Sequence, residues 1–155
     1  EEHYDLGSEV MPSCHRGTQI LHGKQRSSGR MVVVKVRQKV EVSGTRAKRW
    51  LAGARFMASL PSRGHIAQIY EVLEDAKAYY VVMERVPGQD LFESIAGQVQ
   101  LPLVEVREII VQILVALADL HDRGQIHRDL KLENVMLDRP SPGPGAAPAA
   151  AYDCA

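Results

Sequence analysis

The chain has 155 residues, with 19 Lys/Arg against 19 Asp/Glu and two cysteines, Cys14 and Cys154. That length suits one ordinary domain with a real core, and two distant cysteines exclude a disulfide framework or a zinc cluster. No apolar run approaches the ~20 residues needed to span a bilayer, and the acidic start "EEHYDLGS" is unlike a signal peptide, so a cytoplasmic rather than secreted setting is expected, with no membrane and no nucleic-acid partner.

The charges are unevenly spread. From Lys24 to Arg63 there are eleven Lys/Arg and one acid, Glu41. Such a block suits phosphate groups or an acidic partner, or is simply the solvated basic face of a small lobe. The stretch from Val10 to Ile20 reads as short, mixed and turn-rich, and "LHGKQRSSGR" after it reads as a hairpin loop at Ser-Ser-Gly. "MVVVKVRQKV" is β-branched with Lys35 at its centre, as expected of a half-buried strand. Ser43 or Thr45 caps a helix running to about Leu60, whose apolar positions Ala47, Trp50, Leu51, Ala54, Met57 and Ala58 recur at three- and four-residue steps. Pro61 and Gly64 end it.

"HIAQIYEVLED" and "AYYVVMERV" are two further strand segments, followed by a turn at "PGQD" and a short helix over Leu91–Ile95. After Pro102 comes the strongest helix, 103–121, with a broad apolar face from Val106 to Leu120, closed by "DRG" at 122–124. Strands, one helix, strands, then helices make an α+β chain, β-rich first and helical second. From Arg139 to Ala151 nearly every residue is Pro, Gly, Ala or Ser, so residues 139–155 are expected to form a disordered tail.

Two places carry chemistry. Lys35 within a valine-rich strand is costly to bury unpaired; it either serves a site or points to solvent from an edge strand. "HRDLKLEN" fits H-R-D-L-x-x-x-N at every fixed position: His127, Arg128, Asp129, Leu130 and Asn134. That chemistry needs an aspartate to orient a hydroxyl and accept its proton, and an amide oxygen to hold a metal.

On these residues the chain resembles the first part of a eukaryotic protein kinase domain of the serine/threonine type. "VVVK" resembles the third-strand V-A-I-K, "YYVVMERVPGQDLFESI" the hinge and the helix after it, and "HDRGQIHRDLKLENVML" the catalytic loop; Lys131 is the serine/threonine mark. The hinge stretch is most similar to the calcium/calmodulin-dependent group. The resemblance covers 4–138, with an N-lobe and hinge over 4–86 and the start of a C-lobe over 87–138. It implies an antiparallel sheet with one helix, followed by the first C-lobe helices, and ATP and magnesium as cofactors. Lys35 would hold the α- and β-phosphates. Val10, Ile20, Val33 and Met136 would sandwich the adenine, with Met83 as gatekeeper. Glu84 and Val86 would offer hinge backbone groups, and Asp90 would sit by the ribose. Asp129 would be the catalytic base, Lys131 the partner of the transferring phosphate and Asn134 a magnesium ligand.

The same comparison exposes departures. Where a G-x-G-x-x-G loop belongs, "VMPSCHRGTQI" has only Gly17 and about two residues too many; Met11, Pro12, Ser13 and His15 obstruct a backbone phosphate cradle. The helix glutamate that should meet Lys35 falls on Gly53 or Ala54, and no acid occurs between Thr45 and Arg63. Val33 replaces the usual alanine, an overfilling that costs on the order of 1–3 kcal/mol. No D-F-G, activation segment or A-P-E follows Asp138. These departures lead to three expectations: a kinase sequence truncated by its gene model and inactive alone, a pseudokinase acting by contact, or an interaction fragment that self-associates through the apolar face of helix 103–121.

Overall fold

In the computed structural model, residues 3–11, 17–41, 44–61, 64–97 and 101–138 are described. The 139–155 segment, the Ser43 cap alternative and most of the Met11–His15 stretch lie outside them. The chain divides into two compact units, one running through Arg85 and the other starting at Val86.

The first unit is a five-stranded antiparallel sheet with one helix. Its strands are β1 (Tyr4–Met11), β2 (Thr18–Gln25), β3 (Met31–Gln38), β4 (Ile69–Glu74) and β5 (Ala78–Glu84), in the order β1-β2-β3-β5-β4. Helix α1 spans Gly44–Ser59, after a 3-10 turn at Lys39–Glu41. The strand alternation of "MVVVKVRQ" is realised: Val32, Val34 and Val36 are buried while Val33, Lys35 and Arg37 take the other face.

Sequence reading missed two strands. Val10–Ile20 is not simply turn-rich, because β1 runs to Met11 and β2 starts at Thr18, and Leu21–Gln25 belongs to β2 rather than to the hairpin loop. The turn is confined to the residues around Ser27 and Ser28, where the Gly29 N–H donates to the Gln25 carbonyl at 2.8 Å. The cause of the miss is visible in the pairing. Register slips once where Gly7 and Ser8 face His22 and again at Val10, so β1 carries bulges that erase a two-residue alternation.

The core of this unit gathers Tyr4, Val32, Val34, Val36, Ala78 and Val82, with Leu21, Tyr70, Leu73 and Tyr80 packed around them. Tyr4 on edge strand β1 donates its hydroxyl to the Glu71 carboxylate on edge strand β4, and the Arg30 guanidinium lies 4.8 Å from the Tyr70 ring centroid. The two edges of the sheet are thereby tied over one core. Burial, then the hydrogen bond to Glu71, pushes the Tyr4 pKa up from 10.0 to about 12. At the β4–β5 turn the Asp75 carboxylate accepts from the Lys77 and Ala78 amides and from the Tyr80 hydroxyl, each at 2.7 Å. The Tyr80 hydroxyl first, then those amides, holds the Asp75 carboxyl below its ordinary value.

In the second unit, α2 (Leu91–Ala96) starts on Asp90, whose carboxylate accepts the Glu93 N–H at 2.7 Å. Helix α3 (Leu103–Asp122) ends in a Schellman motif: Gly124, at φ +68°, donates to the His121 carbonyl, and Gln125 donates to the Leu120 carbonyl. That motif releases the chain into the loop carrying His127–Asn134. Much of the α3 apolar face is open, with Leu103, Val104, Ile110, Val111, Leu114 and Val115 each at least half exposed. Among the described residues no helix is long and apolar enough to cross a membrane.

Candidate active site

In the first unit the sheet face opposite the valine core carries the residues singled out from sequence. Ile20 pairs with Lys35 across β2–β3, and Val33 pairs with Met83 across β3–β5. Directly paired residues share a face, as do residues two apart, so Ile20, Val33, Lys35 and Met83 all lie on one side. All four are half-buried. Val10 falls in the second β1 bulge without a register partner and is largely exposed. Glu84 ends β5; its N–H donates to the Gln68 carbonyl, and its carboxylate accepts the Gln68 N–H at 3.0 Å. This anchors the strand end from which Val86 leads on.

Pro12, Ser13 and His15, where the resemblance would put a phosphate loop, lie outside the described residues, as does the Met11 side chain. Gly17, at their far border, takes φ +68°, and its carbonyl accepts the Gln38 N–H at 2.9 Å, pinning that end of the segment to β3. Helix α1 lies on the Lys35 face. Trp50 of α1 stacks near Arg37 and Tyr79, which share that face with Lys35, while Ala47 and Leu51 are buried beneath the helix. As read from sequence, α1 offers no carboxylate.

The second unit brings two pairs together. Asp90 and Met136 form an isolated antiparallel bridge, flanked by hydrogen bonds from the Leu91 N–H to the Val135 carbonyl and from the Leu137 N–H to the Gln89 carbonyl. Asp90 is buried, and its capping bond commits one carboxylate oxygen. In the loop, the Asn134 side-chain amide donates to the Asp129 carbonyl at 2.7 Å and to the Asp129 carboxylate at 3.1 Å. Two local features make this possible. Arg128 takes φ +65°, a left-handed conformation uncommon for a residue with a Cβ, which folds the chain back at Asp129. A 3-10 turn at Leu132–Asn134 then lifts Asn134 towards it, the Asn134 N–H donating to the Lys131 carbonyl. Lys131 is extended and half-buried between them.

The chemistry of this loop follows from its donors. With its amide nitrogen turned to Asp129, Asn134 keeps its side-chain oxygen as the acceptor end, beside an exposed carboxylate. A hard cation such as magnesium is held by one or two protein oxygens plus phosphate and water rather than by a closed protein cage. The Asn134 oxygen fits that as one donor of a partial shell, and among the described residues no group of three His, Cys, Asp or Glu makes a fuller one. Sequence reading counted Trp50 only among the apolar positions of the helix and did not single out Arg37, although a lone tryptophan one turn ahead of Ala54 was a visible signal.

A family model described as "Protein kinase domain" matches residues 16–142. Maternal embryonic leucine zipper kinase of Danio rerio is 34% identical over 116 residues, 75% of this chain and 17% of that protein. Hormonally up-regulated neu tumor-associated kinase of Mus musculus is 33% identical over 133 residues, 86% of this chain and 18% of that protein. CBL-interacting protein kinase 4 of Oryza sativa subsp. japonica is 37% identical over 141 residues, 87% of this chain and 30% of that protein. The chain thus spans between 17% and 30% of the length of these curated relatives. Among solved structures, that of Rad53 1-466 in complex with AMP-PNP matches with a TM-score of 0.78 at 26% identity, covering 89% of this chain and 35% of that one.

Proposed function

We propose, for a chain that belongs to the serine/threonine protein kinase family, that these residues are built for phosphoryl transfer from magnesium-bound ATP to a protein hydroxyl, and that the 155 residues alone do not turn over. Lys35 holds the α- and β-phosphates. Ile20, Val33, Val10 and Met136 enclose the adenine, Met83 stands behind it, Glu84 and Val86 meet its edge through backbone groups, and Asp90 serves the ribose side. Asp129 orients the acceptor hydroxyl and takes its proton. Lys131 meets the transferring phosphate, and Asn134 supplies a metal oxygen. Bound magnesium neutralises charge on the phosphate oxygens. The observation that supports this most is the Asn134 amide held on Asp129, which sets the proton acceptor and the metal ligand as one unit.

Inactivity of the 155 residues is inferred from the missing groups. Helix α1 has no acid, Pro12 has no N–H where a phosphate cradle belongs, and the sequence contains no D-F-G. Phosphoryl transfer rests on positioning and charge stabilisation, so a chain without these groups is expected to transfer phosphate slowly if at all. The test is a thermal-shift titration with ATP, with and without magnesium, alongside ADP release. Magnesium-dependent stabilisation that Lys35→Met removes is expected, with ADP release no faster than in Asp129→Asn. No nucleotide effect at millimolar ATP would sink the binding assignment. Turnover near ~1 per second, abolished by Asp129→Asn, would overturn inactivity.

A second reading, a binding module acting through protein contacts, is favoured by the open apolar face of α3. The occupant that fits this reading is a second copy of the chain, through the 103–121 helix.

A further inference from the structure

A ladder of cations and rings joins α1 to the sheet. The Arg37 guanidinium lies 5.3 Å from the Trp50 ring centroid. The Trp50 and Tyr79 centroids are 6.1 Å apart with planes tilted by 50°, and the Lys39 ammonium lies 4.8 Å from the Tyr79 centroid. Arg37 and Tyr79 are direct partners across β3–β5, one rung along from the Lys35–Val81 pair on the same face. On α1, Trp50 shares its face with Gly53 and Ala54, three and four residues on. By the spacing that the family resemblance implies, a carboxylate partner for Lys35 would fall on Gly53 or Ala54, where the helix carries no acid.

We propose that Trp50 is a positioning residue that docks α1 on the Lys35 face through Arg37 and Tyr79, in place of a carboxylate–lysine pair. An ion pair through Lys35 makes helix docking depend on the group that also grips phosphate. A ring held between a guanidinium and a second ring draws on cation–π attraction and apolar burial instead, neither of which involves Lys35. Docking of α1 is thus independent of nucleotide. The consequence for nucleotide binding rests on the assignment of Lys35 to the phosphates; the docking itself does not.

Trp50 is the sole tryptophan, so its fluorescence in the full chain reads the docking directly. Wild type is expected to emit as a shielded indole, unchanged by Lys35→Met or by millimolar ATP with magnesium. Arg37→Met and Tyr79→Ala, which keep Trp50, should red-shift the emission and raise iodide quenching about twofold. Unaltered emission and quenching in both variants would overturn the proposal, as would a nucleotide-driven emission shift that Lys35→Met abolishes. In nucleotide titrations, Arg37→Met and Trp50→Ala should weaken binding about threefold to tenfold, and Trp50→Phe should retain most of it. Adding Gly53→Glu or Ala54→Glu to Trp50→Ala should restore affinity in one of the two, a rescue that a merely structural tryptophan would not show. Failure of both carboxylates in a chain whose circular dichroism is native counts against substitution for the ion pair. A wild type that binds no nucleotide removes the phosphate assignment, while the fluorescence arm still decides the docking.

Discussion

At the level of single residues, the Asn134 amide donates to Asp129 and the Tyr4 hydroxyl to Glu71, two side-chain arrangements that differ in how far the sequence announced them. Asn134 on Asp129 needs the left-handed Arg128, and its residue types were legible because H-R-D-L-x-x-x-N fixes them by spacing alone. Tyr4 on Glu71 was not legible: the partners are 67 residues apart, and neither belongs to a motif. Its chemistry gives a pH test. Neutral Tyr4 donates to Glu71, and its ionisation would set a second negative charge against that carboxylate. A folded-state pKa raised from 10.0 to about 12 means that the stabilisation is complete below pH 10 and is lost as pH climbs towards 12. Tyr4→Phe should therefore cost about 1 kcal/mol in urea unfolding at pH 7. The gap between variant and wild type should close between pH 10 and 12, and a constant gap would refute the assignment.

Among the elements, β3 and α3 were the easiest to read, and for the same reason. Valines at every second position and apolar residues at three- and four-residue steps are patterns contained within one segment. β1 and β2 were obscured by two bulges and by the glycines that accommodate the packing. Gly23 illustrates this. A Cβ there would stand 3.0 Å from a methyl of Val32 and 3.0 Å from one of Val34, so both valines would have to give by a few tenths of an ångström. Gly23→Val should consequently destabilise the first unit by about 1–3 kcal/mol, measured as a lower thermal midpoint, with little effect on an exposed control such as Gly64→Ala. A midpoint shift equal to that of the control would show that the β2–β3 interface has slack the packing does not suggest. Helix α1 falls between the two cases: its length and apolar stripe were legible, while its attachment through Trp50, Arg37 and Tyr79 was not, since those residues meet only once the sheet has formed.

Over the whole molecule, the balance of 19 cations against 19 anions leaves no net repulsion to oppose association. The open α3 face supplies apolar surface to drive it. If a second copy covers that face, light scattering should give a mass above that of one chain, rising with concentration. Val111→Lys with Leu114→Lys should return it to a single chain without shifting the first unit's unfolding. A monomer at every concentration would remove the self-association reading. By itself, the sequence determined the family, the α+β class and the H-R-D-L-x-x-x-N signature, because each rests on residue types at short fixed spacings. It also established that α1 lacks an acid, a property of composition alone. Only the tertiary structure decided how the sheet's edges close through Tyr4 and Glu71, which residues share the Lys35 face, and what fastens α1 there. Those outcomes depend on pairings between segments distant in the chain, whose register is set by packing and bulges that leave no periodic trace.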